Sequence, residues 1–463
     1  MTRWDETFDV IVVGAGFAGL TAAIEASNTG ASVVVLEKMK APGGNSIISD
    51  GGVAAAGTSL QKQHGIEDSP ELFYNDMLKA GLGLNHPGLL RVLTQNAAEA
   101  FRWSEEYLGV EYMDRVDRFG GHSVNRCYAA AGITGATIIR AMLKKMDELG
   151  IPLRRSTCLE KILFNGQRVT GLTVREDYNY KDPEAGRIQH LKADRAVIIT
   201  TGGFGADVEF RAVQDPRLTG EIDTTNKPFA TAGALVEAMR LGAAPVQLSH
   251  VQLGAWASPD EKGFGSGPLF ADYIGFLYGI IVHPDTGKRF VNEQADRKVL
   301  GDAILSVGRP SICISDHGAV EHSGWDISRA LKKKVVKTFE TVEGLAEHYG
   351  LPVDALSQAI TEFNRAVAAG VDGEYERPIL NDSMPVERPP FYAMRLWPKV
   401  HYTMGGLQIN EEARVIDLDH RPILGLYAAG EVTGGVHGAC RLGSCAITDC
   451  LVFGRIAGRN AAG

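Results

Sequence analysis

At 463 residues the chain is long for one hydrophobic core, so two domains are expected. Its 44% apolar and 22% charged content is that of an ordinary soluble globular protein, and a net charge of −9 argues against a general binder of nucleic acid or anionic membranes. No apolar run approaches the ~20 residues of a membrane span, and the early first strand leaves no room for a signal peptide, so a cytoplasmic location is expected. The cysteines (Cys127, Cys158, Cys313, Cys440, Cys445, Cys450) form no C-x-x-C pair and read as buried small apolar residues.

The chain opens on Val10-Ile11-Val12-Val13, a run suited to a strand buried on both faces, followed by Gly14, Gly16 and Gly19. These glycines stand where a dinucleotide-binding turn needs a tight bend, close backbone approach to a pyrophosphate, and helix-on-strand packing. A second strand, Val33 to Leu36, ends in Glu37-Lys38, where a carboxylate accepts hydrogen bonds from a ribose roughly 20 residues after the glycines. Next come Gly43-Gly44-Asn45-Ser46 and Gly51-Gly52, backbone able to approach a flat ring or a phosphate; an ordinary surface loop has the same composition.

Helical spacing of apolar residues recurs over Pro70 to Leu82, Pro87 to Leu108 and Gly132 to Leu149, and these helices read as scaffold. Cys158 to Phe164 and Arg168 to Arg175 flank an Asn165-Gly166 turn, a hairpin signal. Ala196 to Ile199, running into Thr200-Thr201-Gly202-Gly203, is another buried strand ending in glycines. From Pro245 to His401 the pattern changes to many aromatics (Trp256, Phe264, Phe270, Tyr273, Phe276, Tyr278) and two amphipathic segments, Val342 to Tyr349 and Val353 to Ala369. Strand-to-glycine patterning resumes at Gly405 to Asn410 and at Gly425 to Glu431, and Ser444 to Ala461 closes the chain as a helix. His283, His317 and His322 lack metal-ligand spacing, and no catalytic metal is expected.

Four of these stretches carry a resemblance: Gly43-Gly44-Asn45-Ser46, Gly202-Gly203, His401-Tyr402-Thr403-Met404-Gly405-Gly406, and Gly430-Glu431-Val432-Thr433-Gly434-Gly435-Val436-His437-Gly438-Ala439-Cys440-Arg441-Leu442-Gly443. In this order the chain resembles the FAD-dependent fumarate reductase and succinate dehydrogenase flavoprotein family, whose relatives include urocanate reductases and 3-ketosteroid dehydrogenases. The resemblance implies an α/β fold: a Rossmann-like FAD-binding domain, 1–245 with 402–463, carrying an inserted α+β capping domain, 246–401. It implies that Glu37 and Lys38 lie at the adenosine ribose. Gly44, Asn45, Ser46, Gly51, Gly52, Thr201, Gly202, Gly203, Gly430, Glu431, Gly443, Ala446 and Ile447 would line the cofactor, with the closing helix aiming its positive end at the flavin. Complex II subunits attach FAD through a histidine in the loop that here holds Asn45, so non-covalent FAD is expected. With no haem or second flavin domain in the chain, electrons would come from, or go to, a separate donor or acceptor.

For chemistry, the resemblance implies that His250 helps hold a substrate carboxylate, that Arg297 moves the proton and that Arg441 clamps a carboxylate, with His401 beside them. Hydride transfer to or from carbon needs an adjacent carbonyl or carboxylate, because the enolate-like charge must be stabilised. An arginine whose pKa exceeds ~12 needs neighbours and desolvation to pass a proton. Arg297 and Arg441 have a plainer reading as ion pairs, and each aromatic a plainer reading as core. The match departs where fumarate reductases carry a second histidine: here Tyr402 stands, able to hydrogen-bond a ketone, and Asp272 and Gly275 replace a glutamate and an arginine of the proton path. Tyr392 also matches a dehydrogenase tyrosine but discriminates nothing, and His122, Ser123 and Arg126 fall in a loop bordering the site.

The expected protein is an FAD oxidoreductase acting on a CH–CH or C=C bond beside a carboxylate or ketone. One form is an enoate reductase with a substrate larger than fumarate. The alternative is a desaturase of a cyclic ketone or keto acid. A flavin-bearing redox sensor would leave the arginines without a use.

Overall fold

The structure, a computed structural model, describes residues 3–463; residues 1 and 2, counted in the expected nucleotide-binding part, lie outside it. Its main sheet has eight strands. Across it run Arg414–Ile416, Pro422–Ala428, Arg187–Ile199, Glu6–Val13, Val33–Leu36 and Leu153–Arg154, with the hairpin Cys158–Phe164 and Val169–Glu176 joined to Arg187–Ile199. Val10, Ile11 and Val12 are fully buried, as a strand covered on both faces requires. The strand Arg187–Ile199 is longer than its buried end suggests: Arg187 to Lys192 pairs antiparallel with the hairpin, whereas Val197 to Ile199 pairs parallel with Leu426 to Ala428. Glu6–Val13 is parallel to both Val33–Leu36 and Arg187–Ile199. The carboxyl ends of these parallel strands therefore share one edge, and each runs into a glycine or an acid: Gly14, Glu37, Gly202 and Gly430. That edge is where an open α/β sheet binds its ligand.

The scaffold helices follow their sequence signals: Pro70–Ala80, Pro87–Glu106 and Gly135–Glu148. Ser69 and Thr134 cap the first and third by accepting from the amides of Leu72 and Ala136. The closing helix, Cys445–Ala462, packs on the first helix, Phe17–Asn28.

The intervening segment builds its own four-stranded antiparallel sheet, in the order Ile280–Val282, Ser311–Asp316, Phe391–Leu396, Lys337–Phe339. Helices Val342–Tyr349 and Val353–Ala369 cover it through Leu345, Leu356, Ile360 and Phe363, which form a second core with Ile280, Ile312 and Ile314. The outgoing and returning chains pair with each other: Val251–Gly254 runs antiparallel to Lys399–Thr403, placing Gln252 opposite Tyr402. Pro245–Val246 pairs with Gly406–Gln408 beside Thr433–Gly434.

Candidate active site

The nucleotide edge is shaped by backbone that tolerates no side chain. Gly14 has φ +109°, and a Cβ there would sit 2.5 Å from the Thr200 carbonyl oxygen and 3.1 Å from the Cα of Thr201. A Cβ on Gly19 would overlap the Gly14 carbonyl oxygen. Helix Phe17–Asn28 starts at Gly16 with no side-chain cap, so its positive end can receive an anion; the Phe17 amide donates to Ser46 Oγ at 3.1 Å. Glu37 accepts from the amides of Ala15 (3.1 Å) and Met39 (2.9 Å), and burial holds its carboxyl above the usual range. Lys38 donates to Thr231 Oγ1 at 3.2 Å, with its pKa lowered by burial. Asn45 accepts from the Lys227 amide at 2.8 Å and donates to Asn226 Oδ1 at 2.5 Å, while Gly44 beside it has open space above its backbone.

Further along this edge, Gly203 abuts Glu431, whose carboxylate accepts from the Thr403 amide at 3.0 Å; burial raises that carboxyl to about 7. Gly202 and Gly430 both adopt positive φ, +76° and +75°. Gly51 is also left-handed, and Gly52 packs against Ser444 Oγ. The closing helix begins one residue after Ser444, itself left-handed at φ +63°, and has no side-chain cap; the Ser444 hydroxyl is buried without a partner. Ala446 and Ile447 lie in that helix's first turn, and Gly443 fits flush against the Phe119 ring. Two uncapped helix ends, a glycine cradle and an orphaned hydroxyl converge on one edge, and this set fits FAD.

Beside the nucleotide edge lie two buried arginines with opposite surroundings. Arg297 begins helix Arg297–Val307, whose cap Asp296 accepts from the amides of Lys298 and Val299. Its Nη2 donates to Asp272 Oδ2 at 2.8 Å. Burial by itself would lower its pKa, but Asp272 and Asp50 outweigh that and raise it. Burial pushes Asp272 up, against the pull of Arg297. Arg441 is 3% exposed and, among the described residues, has no carboxylate within ion-pair distance. Its guanidinium lies 4.7 Å over the Tyr402 ring, Nη1 donates to the Leu442 carbonyl at 3.0 Å, and Nε is buried without a partner. Burial first, and Arg297 second, lower its pKa.

His401 shares this space: its Nδ1 is 2.8 Å from Thr225 Oγ1 and its ring packs edge-on against Trp256 at 4.9 Å. Burial, Arg441 and Arg297 hold its pKa well below 6.5, so it is neutral. Tyr402 packs edge-on against His437 at 5.7 Å, and burial raises its phenol well above 10. His437 in turn lies 3.4 Å from Asp449.

His250 is not part of this cluster. It sits half-buried in the turn before Val251–Gly254, where burial and Lys298 depress its pKa, and only its backbone is engaged, by the Met404 amide at 3.0 Å. Gln252, two residues on, occupies the site instead: it accepts from the Arg441 amide at 3.1 Å and donates to the Arg441 carbonyl at 3.0 Å. A lone polar residue between Val251 and Leu253 was the available signal. Tyr392 lies in the second sheet, paired with Ser315 and Thr338, away from the arginines.

Sequence reasoning also left undivided the loop of His122, Ser123 and Arg126. His122 Nε2 lies 3.0 Å from the Gly443 carbonyl, while Nδ1 faces Arg126 at 3.4 Å. Burial, with Arg126, lowers its pKa to about 3, so the neutral ring donates from Nε2 and steadies the loop that carries Arg441. The aromatic stretch behaves mostly as core: Tyr273 packs against Phe119 and Trp325 and donates to Asp50 at 2.9 Å. Trp256 and Phe119 flank Arg297 at 5.8 and 5.9 Å.

A Rossmann-like edge with two buried arginines beside it defines a flavin-dependent oxidoreductase. Residues 9–447 match the model of the FAD binding domain family, and the chain belongs to that family. It is 40% identical to the acrylate reductase flavoprotein subunit of Shewanella woodyi, over 99% of this chain and 92% of that protein. It is similar to the open conformation of a flavocytochrome c3 fumarate reductase (TM-score 0.76, 34% identity, 99% of this chain and 78% of the other). It shares its fold with a 3-ketosteroid dehydrogenase from Rhodococcus jostii RHA1 (TM-score 0.78, 23% identity, 100% and 98%). The protein is an FAD-dependent oxidoreductase that acts on carbon–carbon bonds of the CH–CH or C=C type. No helix among the described residues is long and apolar enough to cross a membrane.

Proposed function

We propose that the protein reduces α,β-unsaturated monocarboxylates, using electrons from a separate donor. The observation that carries this reading is Arg441, a buried guanidinium without a counter-ion, facing an arginine that already has one. An unpaired buried charge is costly, so the site is built to receive one carboxylate. A second carboxylate would find Arg297 neutralised by Asp272, His401 uncharged and Tyr402 without charge. The relative named for acrylate, a mono-acid, supports the same choice. The rings on which the expectation of a larger substrate rests are mostly core: Phe270, Tyr273 and Phe276 are buried and Tyr273 packs on Phe119 and Trp325, while Trp256, Phe119 and Tyr402 stand at the arginines.

When bound, FAD supplies a hydride from its reduced flavin N5. Arg441 fixes the carboxylate and balances the enolate-like charge that grows on it as the β-carbon is reduced. Gln252 holds the Arg441 backbone at both its amide and its carbonyl, so the clamp is set before substrate arrives. Arg297 gives a proton to the α-carbon, and its Nη2 hydrogen bond to Asp272 is the line along which that proton is replaced. Neutral His401 contributes hydrogen bonding without competing for the carboxylate.

We further propose that residues 246–401 form a capping domain that closes over the flavin; its separate sheet and core, and its paired connecting strands, support this. FAD is held without a covalent bond, a reading supported by the absence of a nucleophile at Asn45. A cytoplasmic location suits six unpaired cysteines.

The test is anaerobic reoxidation of the chemically reduced holoprotein by acrylate, longer enoates and fumarate. Mono-acids should restore the visible flavin band far faster than fumarate. If fumarate were the fastest oxidant, the mono-acid reading would fail. Tyr402 favours a second reading, a ketone desaturase in which its phenol polarises the carbonyl; bleaching of the oxidised protein by a saturated cyclic ketone would select it.

A further inference from the structure

On that reading each turnover consumes the proton of Arg297, and Arg297 and Asp272 are both nearly enclosed, with side chains 11% exposed. Asp50, the other acid that raises the pKa of Arg297, accepts from Tyr273, a buried phenol whose pKa stands well above 10. A narrow cleft, with room for about one water, does reach Asp272 and Arg297 and is lined also by Phe276, Leu277 and Gln294. Leu277 and Gln294 also line a second small cleft, together with Arg118 and the exposed Asp382. Gln294 is the partition between them. Its Oε1 accepts from Arg118 Nη2 at 2.6 Å, and its Nε2 donates to the Leu277 carbonyl at 3.3 Å.

We propose that the Gln294 partition is the proton entrance of the enzyme: water in the two clefts relays protons from the surface at Asp382 and Arg118, past Gln294, to Asp272. Each turnover then balances as follows. A proton leaves Arg297 for the substrate α-carbon; hydronium arriving through the cleft water protonates the Asp272 carboxylate, and that proton passes on to the neutral Arg297 guanidine, which restores the ion pair. Polar walls suit such a relay, because a buried water needs two to four hydrogen-bonding partners, and Asp272, Arg297 and the Gln294 amide supply them. Burial raises the pKa of Asp272 against the pull of Arg297, in line with a carboxylate that takes up a proton and hands it on. Among the described residues the Gln294 side chain hydrogen-bonds Arg118 and the Leu277 carbonyl and neither arginine of the site, so it acts by holding the path open, as a positioning residue.

The experiment uses reduced holoenzyme with acrylate as oxidant, comparing wild type with Gln294→Leu and Gln294→Ala. Leucine, of similar size but without an amide, should lower kcat at least tenfold, enlarge the solvent deuterium isotope effect and leave FAD content and acrylate KM unchanged. Alanine, which opens the partition, should keep kcat within about threefold and make it rise with the concentration of small buffer acids. Unchanged kcat and isotope effect in Gln294→Leu would overturn the proposal. Equal losses in both variants without buffer dependence would also overturn it, because they would mark a packing role. Failure of wild type to be reoxidised by any enoate would instead sink the reductase reading itself.

Discussion

Arg126 and Arg441 are both buried arginines, yet the first is structure and the second is a site. Arg126 is fully buried and grips Asp68 through Nε and Nη2, each at 2.9 Å, and Asp76 through Nη1 at 2.6 Å. Phe73 lies beneath it at 4.8 Å. Burial pulls its pKa down, but the two carboxylates more than restore it, so the charge is spent inside the protein. Arg441 is just as enclosed, with one guanidinium hydrogen bond to a neighbouring carbonyl and an orphaned Nε. Burial thus says nothing about function by itself; the state of the partners does. The unpartnered cation keeps its desolvation cost in reserve until an anion arrives.

The largest expected effect concerns the proton. Arg297→Ala should retain FAD but lose kcat by a factor on the order of 10²–10⁴, the usual contribution of a placed acid, in stopped-flow reoxidation by acrylate. Near-normal turnover would remove Arg297 from the mechanism. Arg126→Met strands two buried carboxylates and should destabilise the chain by about 3–5 kcal/mol in urea titrations. If it proved as stable as wild type, the contrast between the two arginines would collapse.

Glu431 gives the next largest effect. Its folded carboxyl keeps its proton up to about pH 7, whereas an ordinary one releases it near 4.5. Between those values the folded FAD-free chain binds more protons than the unfolded one, so stability falls as pH rises and is flat below that window. At 1.36 kcal/mol per pH unit the loss is at most about 3 kcal/mol, and Glu431→Gln should abolish the slope. An identical slope in the variant would assign it to another group.

Arg441→Met sharpens the comparison most directly. It strands no carboxylate, so stability should hold or rise, while KM for acrylate increases at least about 30-fold, the lower end of ~2–5 kcal/mol for a broken buried pair. Unchanged KM would disprove the clamp. The smallest effect belongs to Tyr402→Phe: a ring that only walls Arg441 should cost enoate reduction less than about threefold, under 1 kcal/mol. A loss of two orders of magnitude would make its hydroxyl a participant and favour the ketone reading.

Legibility followed the range of the forces involved. Helices Val342–Tyr349 and Val353–Ala369 stood at their sequence-derived bounds, because the punctuation is local: Thr341 caps the first, and Gly350 and Gly370 end them at φ +69° and +71°. The short strands Ile280–Val282 and Lys337–Phe339 carry no period of their own and exist through partners far along the chain. His250 and Gln252 show the same limit within three residues. Gln247, at φ +56°, turns the chain before the strand, and pairing with Thr403 and Tyr402 then turns Gln252, not His250, toward Arg441.

The sequence by itself determined the parallel strands, the glycine turns at Gly14, Gly202 and Gly430 and the acid at Glu37. These are backbone requirements met within a few residues, where only glycine fits a positive φ or a closed approach. It also named Arg297 and Arg441. Only the tertiary structure decided that Arg297 is paired and Arg441 is not, because Asp272 comes from a different turn of chain and the missing partner of Arg441 is an absence that no local pattern records.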